Sequence, residues 1–464
     1  MSERITAAIA ANRFGLGARP GELGRIGREG PDWLLAQLEG PAPALADPGL
    51  ESSARTLERI FRLRRELRAA RRGDRGAVGG GTLKRLPELI RSIYRAETEA
   101  RVRQSMATER PLIERLTQFW SNHFAVSVDK GPLGALAGSY EREAVRPHVL
   151  GRFDDLLLAT QRHPAMLLYL DNELSMGPNS RLARRIARRN PTRKAGINEN
   201  LARETLELHT VSVDGGYRQR DVTAFAEVLS GWSIAGPEAD RFGLEPGTFR
   251  FVAAMHEPGA QTVMGRRYPE DGYGQGVAVL RDLAGHPSTA RFIATKLARH
   301  FIADQPPPAA VARIEAAFLR SGGDLPTVYH ALIDSPEAWE RPLAKYKSPA
   351  DYLVSVFRGL GLPAVRPPPV GLFQLLGQRI WCPGSPAGWP DRSADWDGAS
   401  ELWKRIEWAD ALGQRVGPHR DARALAGELL GANLSALTRE ALARAASASQ
   451  ALALLLVSPE FIRR

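Results

Sequence analysis

The sequence predicts a mainly α, multi-helical protein with one small β-hairpin inserted near residues 247–268. Three observations carry that expectation. Leu, Ala, Arg and Glu dominate long stretches, and all four are strong or adequate helix formers. Within those stretches apolar residues return every three or four positions, the spacing of one helix face. Helix-start chemistry also recurs: Ser335-Pro-Glu, Ser458-Pro-Glu, His163-Pro and His286-Pro each set a polar residue before a proline. That order suits an N-cap followed by the first helical position.

The elements follow along the chain. Residues 56–76 read as a basic helix running into a Gly-rich loop, and 111–124 as a helix with a strong apolar stripe. Asp171-Asn172 and Ser180 are capping candidates. Residues 178–196 read as a loop or a short exposed helix between two prolines. Residues 198–209 read as one helix. The Asp214-Gly-Gly-Tyr217 turn stops it, since glycine tolerates the positive φ of a helix end. Asp221 then suits the N-cap of a helix over 222–229. Residues 247–255 and 261–268 alternate weakly around His256-Glu-Pro-Gly259, which predicts the hairpin. Pro-rich breaks fall at 306–308 and 363–369. From 374 to 408 the chain is rich in Pro, Gly and Trp and has little periodicity. Three regions result: an N-terminal helical arm with its basic Gly-rich loop over 1–100, a helical core over 101–360, and a Trp/Pro-rich segment with C-terminal helices over 361–464, packing back on the core.

Composition excludes several classes. The 464 residues are 43% hydrophobic and 25% charged, as in ordinary globular proteins. No apolar run approaches the ~18 residues that span a bilayer. The first twenty residues have a short, early-interrupted apolar patch, so no secretory signal is expected and the expected location is cytoplasmic. A lone cysteine, Cys382, excludes an internal disulfide framework and a Cys-rich zinc site. The net charge of +11 is concentrated in two patches. Residues 52–76 carry +6 and residues 178–197 carry +7, so the rest of the chain is slightly acidic. Such runs are usually solvated surface, and nucleic acid is not an expected partner. No nucleophile elbow, phosphate-binding loop or dinucleotide fingerprint occurs.

Two helices hold the chemistry-bearing residues. At about 100° per residue, Glu199, Asn200, Arg203, Glu204 and Glu207 share an arc of roughly 140°. Leu201, Ala202, Thr205 and Leu208 lie opposite, and His209 falls with them. On 111–124, His123 shares a stripe with Ile113, Leu116, Trp120 and Phe124, while Glu114, Gln118 and Asn122 lie away from it. Both histidines are therefore expected to be buried, with the two helices packed together. The Glu-x-x-His pairs of helical di-metal bundles are absent. Five of the nine tryptophans (381, 389, 396, 403 and 408) fall within 28 residues, usually a sign of staples for irregular chain.

Several segments together identify a resemblance. They are FWSNHFAVS (119–127), residues 142–180, residues 196–233, HPSTARFIATKLARHFIADQPP (286–307), KYKSPADYL (345–353) and Pro-Ala-Gly-Trp (386–389). In order and wording the chain resembles the bacterial family named "domain of unknown function 1800" over nearly its whole length. The resemblance implies an all-helical fold and leaves the reaction open. It implies a companion protein of the "domain of unknown function 1501" family as a partner. It also makes 198–209 a signature segment.

Two readings stand side by side. In the first, the chain is an enzyme with an acid–base or metal-assisted hydrolytic site on 198–209. Glu204, Glu207, His209 and His123 would be catalytic. Asn198, Asn200, Arg203 and Trp389 would bind substrate, and a divalent metal ion, if used, would sit on Glu204, Glu207 and His123. In the second, the chain is a non-catalytic binding or assembly protein that uses the Trp-rich 381–408 segment and the basic loops.

Overall fold

The computed structural model describes all residues except 1–2, 28, 46, 74–79, 191–195, 341–342 and 365–368. Twenty-two α-helices occur among the described residues, with four three-residue strands. The mainly α fold is therefore as expected. One continuous apolar core runs from Ala7 to Ile462 and draws on every region of the chain.

Helix starts follow the local chemistry. His163 Nδ1 accepts from Ala165 N at 3.1 Å and His286 Nδ1 from Ser288 N at 3.1 Å, so these His-Pro pairs are N-caps. Ser180 caps the Arg181–Arg189 helix by accepting from Ala183 N at 3.2 Å. That helix is short and its arginines are exposed, as the second basic patch predicts. Residues 76–79 of the Gly-rich loop lie outside the described residues.

Four local expectations need correction. Ser335 precedes only the 3-10 turn Pro336–Trp339, and its hydroxyl donates backwards to Ala331 O at 2.8 Å. Ser458 starts a turn rather than a helix, accepting from Phe461 N at 3.3 Å. The following residues pair with 345–347: Lys347 N donates to Ile462 O at 2.9 Å and Arg464 N to Lys345 O at 2.8 Å. Backbone donors spent on that ladder cannot extend a helix. Asp221 lies inside the Gln219–Leu229 helix, where it accepts from Arg218 N at 2.8 Å and Met264 N at 2.8 Å. The hairpin is present as β3 (Gln261–Val263) and β4 (Arg266–Tyr268), turning at Met264-Gly265. Residues 249–251, β2, pair instead with β1 (Trp232–Ile234).

Buried charge is settled in pairs. On the Pro111–His123 helix, Glu114 is buried rather than turned outward, because both its oxygens lie 2.7 Å from Arg146 nitrogens. Glu141 is also buried, 3.0 Å from Arg101 and 3.7 Å from Arg146. Burial opposes its charge, yet the two arginines outweigh burial and hold it below the usual carboxylate range. The Pro287–Phe301, Pro308–Ser321 and Leu325–Ile333 helices pack in succession, and the Ala399–Val416 helix lies along Ala448–Leu456. The Pro287–Phe301 helix and the 345–347/462–464 ladder border a cleft beside the Pro111–His123 helix.

Candidate functional site

The segment 198–209 is not a single α-helix. An α-helix covers Asn200–Glu204 and a π-turn covers Thr205–His209. Thr210 Oγ1 donates to Thr205 O at 2.6 Å, five residues back, and holds the wider turn. Arg203 lies 2.9 Å from Glu199 and 3.7 Å from Glu207. Glu199 also accepts from Gln219 at 2.8 Å and Thr223 at 2.7 Å. Glu204 is half-buried, and burial followed by the neighbouring Glu207 raises its pKa. Asn198 donates to Asp171 O at 3.0 Å, and its Oδ1 accepts from Asn200 N at 2.9 Å. This face is a lattice of ion pairs and caps at the molecular edge.

His209 turns the other way, into the core. Its Nδ1 accepts from Gln161 Nε2 at 3.0 Å, and burial lowers its pKa to about 3. His123 donates from Nε2 to His209 O at 3.1 Å. Burial, then the charge of Lys296, lowers its pKa well below the ordinary value. The two helices do pack together, with ring centroids 6.1 Å apart. The structure does not gather all the expected residues around them. His123 and Trp389 line the cleft; Glu204, Glu207, His209, Asn198, Asn200 and Arg203 do not.

The cleft has a volume of about 430 Å³, within the range of small-molecule sites. One wall is the Pro111–His123 helix, which presents Arg115, Phe119, Asn122 and His123 at three- and four-residue spacing. The facing wall is the Pro287–Phe301 helix, presenting Lys296, Arg299 and His300. Asp351 contributes from the start of the Pro349–Gly359 helix, and Lys345 and Arg464 from the ladder. Irregular chain over 378–396 closes the remaining side. Asn122 clasps it, donating to Trp389 O at 2.9 Å and accepting from Trp389 N at 2.7 Å. Gly388 permits this approach: its φ is +84°, and a Cβ there would strike Asn122 O.

Asp391 is the hub. His300 donates from Nδ1 to Asp391 Oδ2 at 3.0 Å, while Lys345 Nζ and Arg464 Nη2 lie 3.6 and 3.9 Å from Oδ1. Burial opposes the Asp391 charge, but His300, whose N–H it accepts, and the cations Lys345 and Arg464 hold its pKa well below the ordinary range. Burial lowers His300 to about 4 despite its aspartate. With Nδ1–H committed, neutral His300 offers a lone pair at Nε2. Arg115 and Arg464 lie 3.2 and 3.1 Å from Asp351.

Two properties set this cleft apart. Seven Lys and Arg residues line it against three Asp. Several buried polar atoms of the lining have no hydrogen-bond partner within the chain: His123 Nδ1, His300 Nε2, Arg299 Nε, Trp389 Nε1 and Arg115 Nη2. Buried polar atoms are nearly always paired, with protein or with ordered water, so solvent or a bound molecule is the partner left to these. Among the described residues, no three His, Cys, Asp or Glu side chains are grouped as metal ligands. A second groove, near Leu23 and Leu442, is mostly apolar, and its Arg423 is spent on Leu442 O and Ala443 O.

Sequence reasoning missed Arg115, Lys296, His300, Lys345, Asp391 and Arg464. A signal existed. Lys296 and His300 stand four apart on a predicted helix, and 119–127, 286–307, 345–353 and 386–389, all segments that carry the resemblance, meet at this cleft.

Comparison with known proteins agrees with that resemblance. The family model described as "Protein of unknown function (DUF1800)" matches residues 9–463. Comparison with curated proteins and with solved structures finds no match.

Proposed function

Since the chain belongs to the DUF1800 family, whose description carries no activity, we propose from the cleft itself that it binds a small anionic substrate and moves a proton on it. The supporting observation is the meeting of cationic excess with the Asp391-held His300 in one cleft. Cations in a low-dielectric cleft attract anions far more strongly than the same groups do in water. Asp391 fixes the tautomer of His300, so that Nε2 serves as the base. His123 Nδ1 is a second acceptor, and Trp389 Nε1 and Arg299 Nε are donors that orient the anion. This keeps the acid–base reading and moves it from 198–209 to the cleft; a hydrolytic reaction is one form of it.

The test is binding of phosphate, sulfate and malonate, measured by thermal shift and titration calorimetry at matched ionic strength. Saturable binding is expected, weakened about tenfold or more by His300→Gln or Lys296→Met, equivalent to about 1.4 kcal/mol. No anion-specific stabilisation, or equal binding by both variants, would overturn the reading.

A second reading rests on a different observation. Trp403 is 59% exposed and Ile406 37% exposed on the same helix, an apolar surface at the end of the Trp-rich segment. It suits a protein partner, and the companion DUF1501 family is the one the resemblance suggests. Pull-down of a co-expressed companion, lost on Trp403→Glu, would support this non-catalytic reading.

A further inference from the structure

Lysine is scarce here. Only seven of the 63 basic residues are lysines, and Lys296, Lys345 and Lys347 all stand at or beside the cleft. Arginine serves nearly everywhere else. Lysine differs from arginine in that its amine can lose a proton and become a nucleophile.

The three lysines are held differently. Lys345 is fully engaged: its Nζ lies 2.6 Å from Asp304 Oδ1 and also donates to Asp391 O. Lys347 is buried over the Phe461 ring, 4.5 Å from its centroid, and does not line the cleft. Lys296 lines the cleft with no hydrogen bond or ion pair to any described residue, and its only close contact of this kind is the Phe292 ring, 5.5 Å away. The groups whose charge it feels are Asp391 from the irregular chain, Arg299 on its own helix, and His123 and His209 from the facing elements. The carboxylate of Asp391 is shared among His300, Lys345 and Arg464. Burial, reinforced by Arg299, lowers the Lys296 amine to about 8. His300 follows Lys296 by four residues on the same helix face, with its unpartnered Nε2.

We propose that Lys296 captures its substrate covalently, forming an imine with an aldehyde or ketone that carries a carboxylate or phosphate group. This deepens the anion-binding reading and rests on it. The lone pair of Nζ attacks the carbonyl carbon, and the C=O π pair moves to oxygen. His300 Nε2 takes one proton from the new ammonium. It returns that proton to the oxyanion, giving the neutral carbinolamine. A second proton, from solvent, lets the hydroxyl leave as water while the nitrogen lone pair forms C=N, so the product is the protonated imine. One water is released and nothing is oxidised or reduced. The cationic lining holds the anionic end of the substrate, which directs its carbonyl to Lys296 rather than to an exposed lysine.

The experiment is reductive trapping of the full-length wild-type protein. Glyoxylate, glyceraldehyde 3-phosphate and the uncharged control propanal are each added with cyanoborohydride, and adducts are mapped by peptide mass spectrometry. The expected result is one dominant adduct at Lys296, formed roughly tenfold or more faster than at Lys404, a partly exposed lysine on the Ala399–Val416 helix, near neutral pH. Its rate should rise with a midpoint near 8. Glyoxylate and glyceraldehyde 3-phosphate separate a carboxylate from a phosphate preference, and inorganic phosphate should slow the trapping. Labelling no faster than at Lys404, or equal labelling by propanal, overturns the proposal. Anion binding without an adduct would sink the imine alone, whereas absence of anion binding sinks the underlying reading.

Discussion

His123 and His209 meet across 3.1 Å, the Nε2–H of one donating to the main-chain oxygen of the other. This bond joins the Pro111–His123 helix to the π-turn Thr205–His209. It also separates their duties. His123 keeps Nδ1 for the cleft, whereas the ring of His209 is bonded to Gln161 in the core.

Acid should destabilise the fold through these histidines. His209 at about 3 and His300 at about 4 stay neutral when folded, but unfold to groups near 6.5. Below about pH 6.5 the unfolded state therefore binds more protons, and stability falls as pH falls. Each histidine contributes a slope of about 1.4 kcal/mol per pH unit until its folded pKa is reached. Asp351 and Asp391 act in the same direction only at lower pH, because their pKa values are depressed from a lower starting point. Urea unfolding at pH 7, 6 and 5 measures the slope. A slope left unchanged by His209→Gln would show that this histidine is not held neutral.

Gly388→Ala should disturb the cleft without touching a charged group. At φ +84° the new methyl strikes Asn122 O, costing about 2 kcal/mol in backbone strain and displacement. The clasp on Trp389 would loosen. The expected outcome is a lower melting temperature together with weaker anion binding and a shifted Trp fluorescence spectrum. Unchanged affinity would mean that Trp389 does not shape the site.

Glu204→Gln and Glu207→Gln discriminate between the two locations for chemistry. Both side chains are partly exposed on a face laced with ion pairs, and surface changes of this kind usually alter stability by about 0.5 kcal/mol or less. If the cleft is the site, phosphate affinity and Lys296 trapping are retained in both variants. Loss of either signal in one variant would return the site to 198–209.

Much of this molecule was legible in its sequence because helix periodicity and N-capping are local effects. The burial of His123 and His209 followed from 100° steps along two helices. The ion pairing of Arg203 with Glu199 followed from four-residue spacing. The 100° spacing failed where tertiary partners intervened: Glu114 is drawn inward by Arg146, and the wide turn at 205–209 departs from α geometry. The site itself was illegible for a related reason. Asp391 sits in chain without periodicity, and Arg464 reaches it through a ladder with residues more than a hundred positions away. Sequence determined the family, the helical fold and the burial of His123 and His209. Tertiary packing decided that Lys296, His300 and Asp391 converge, because attraction between distant charges leaves no pattern along the chain and acts only once folding brings them within a few ångströms.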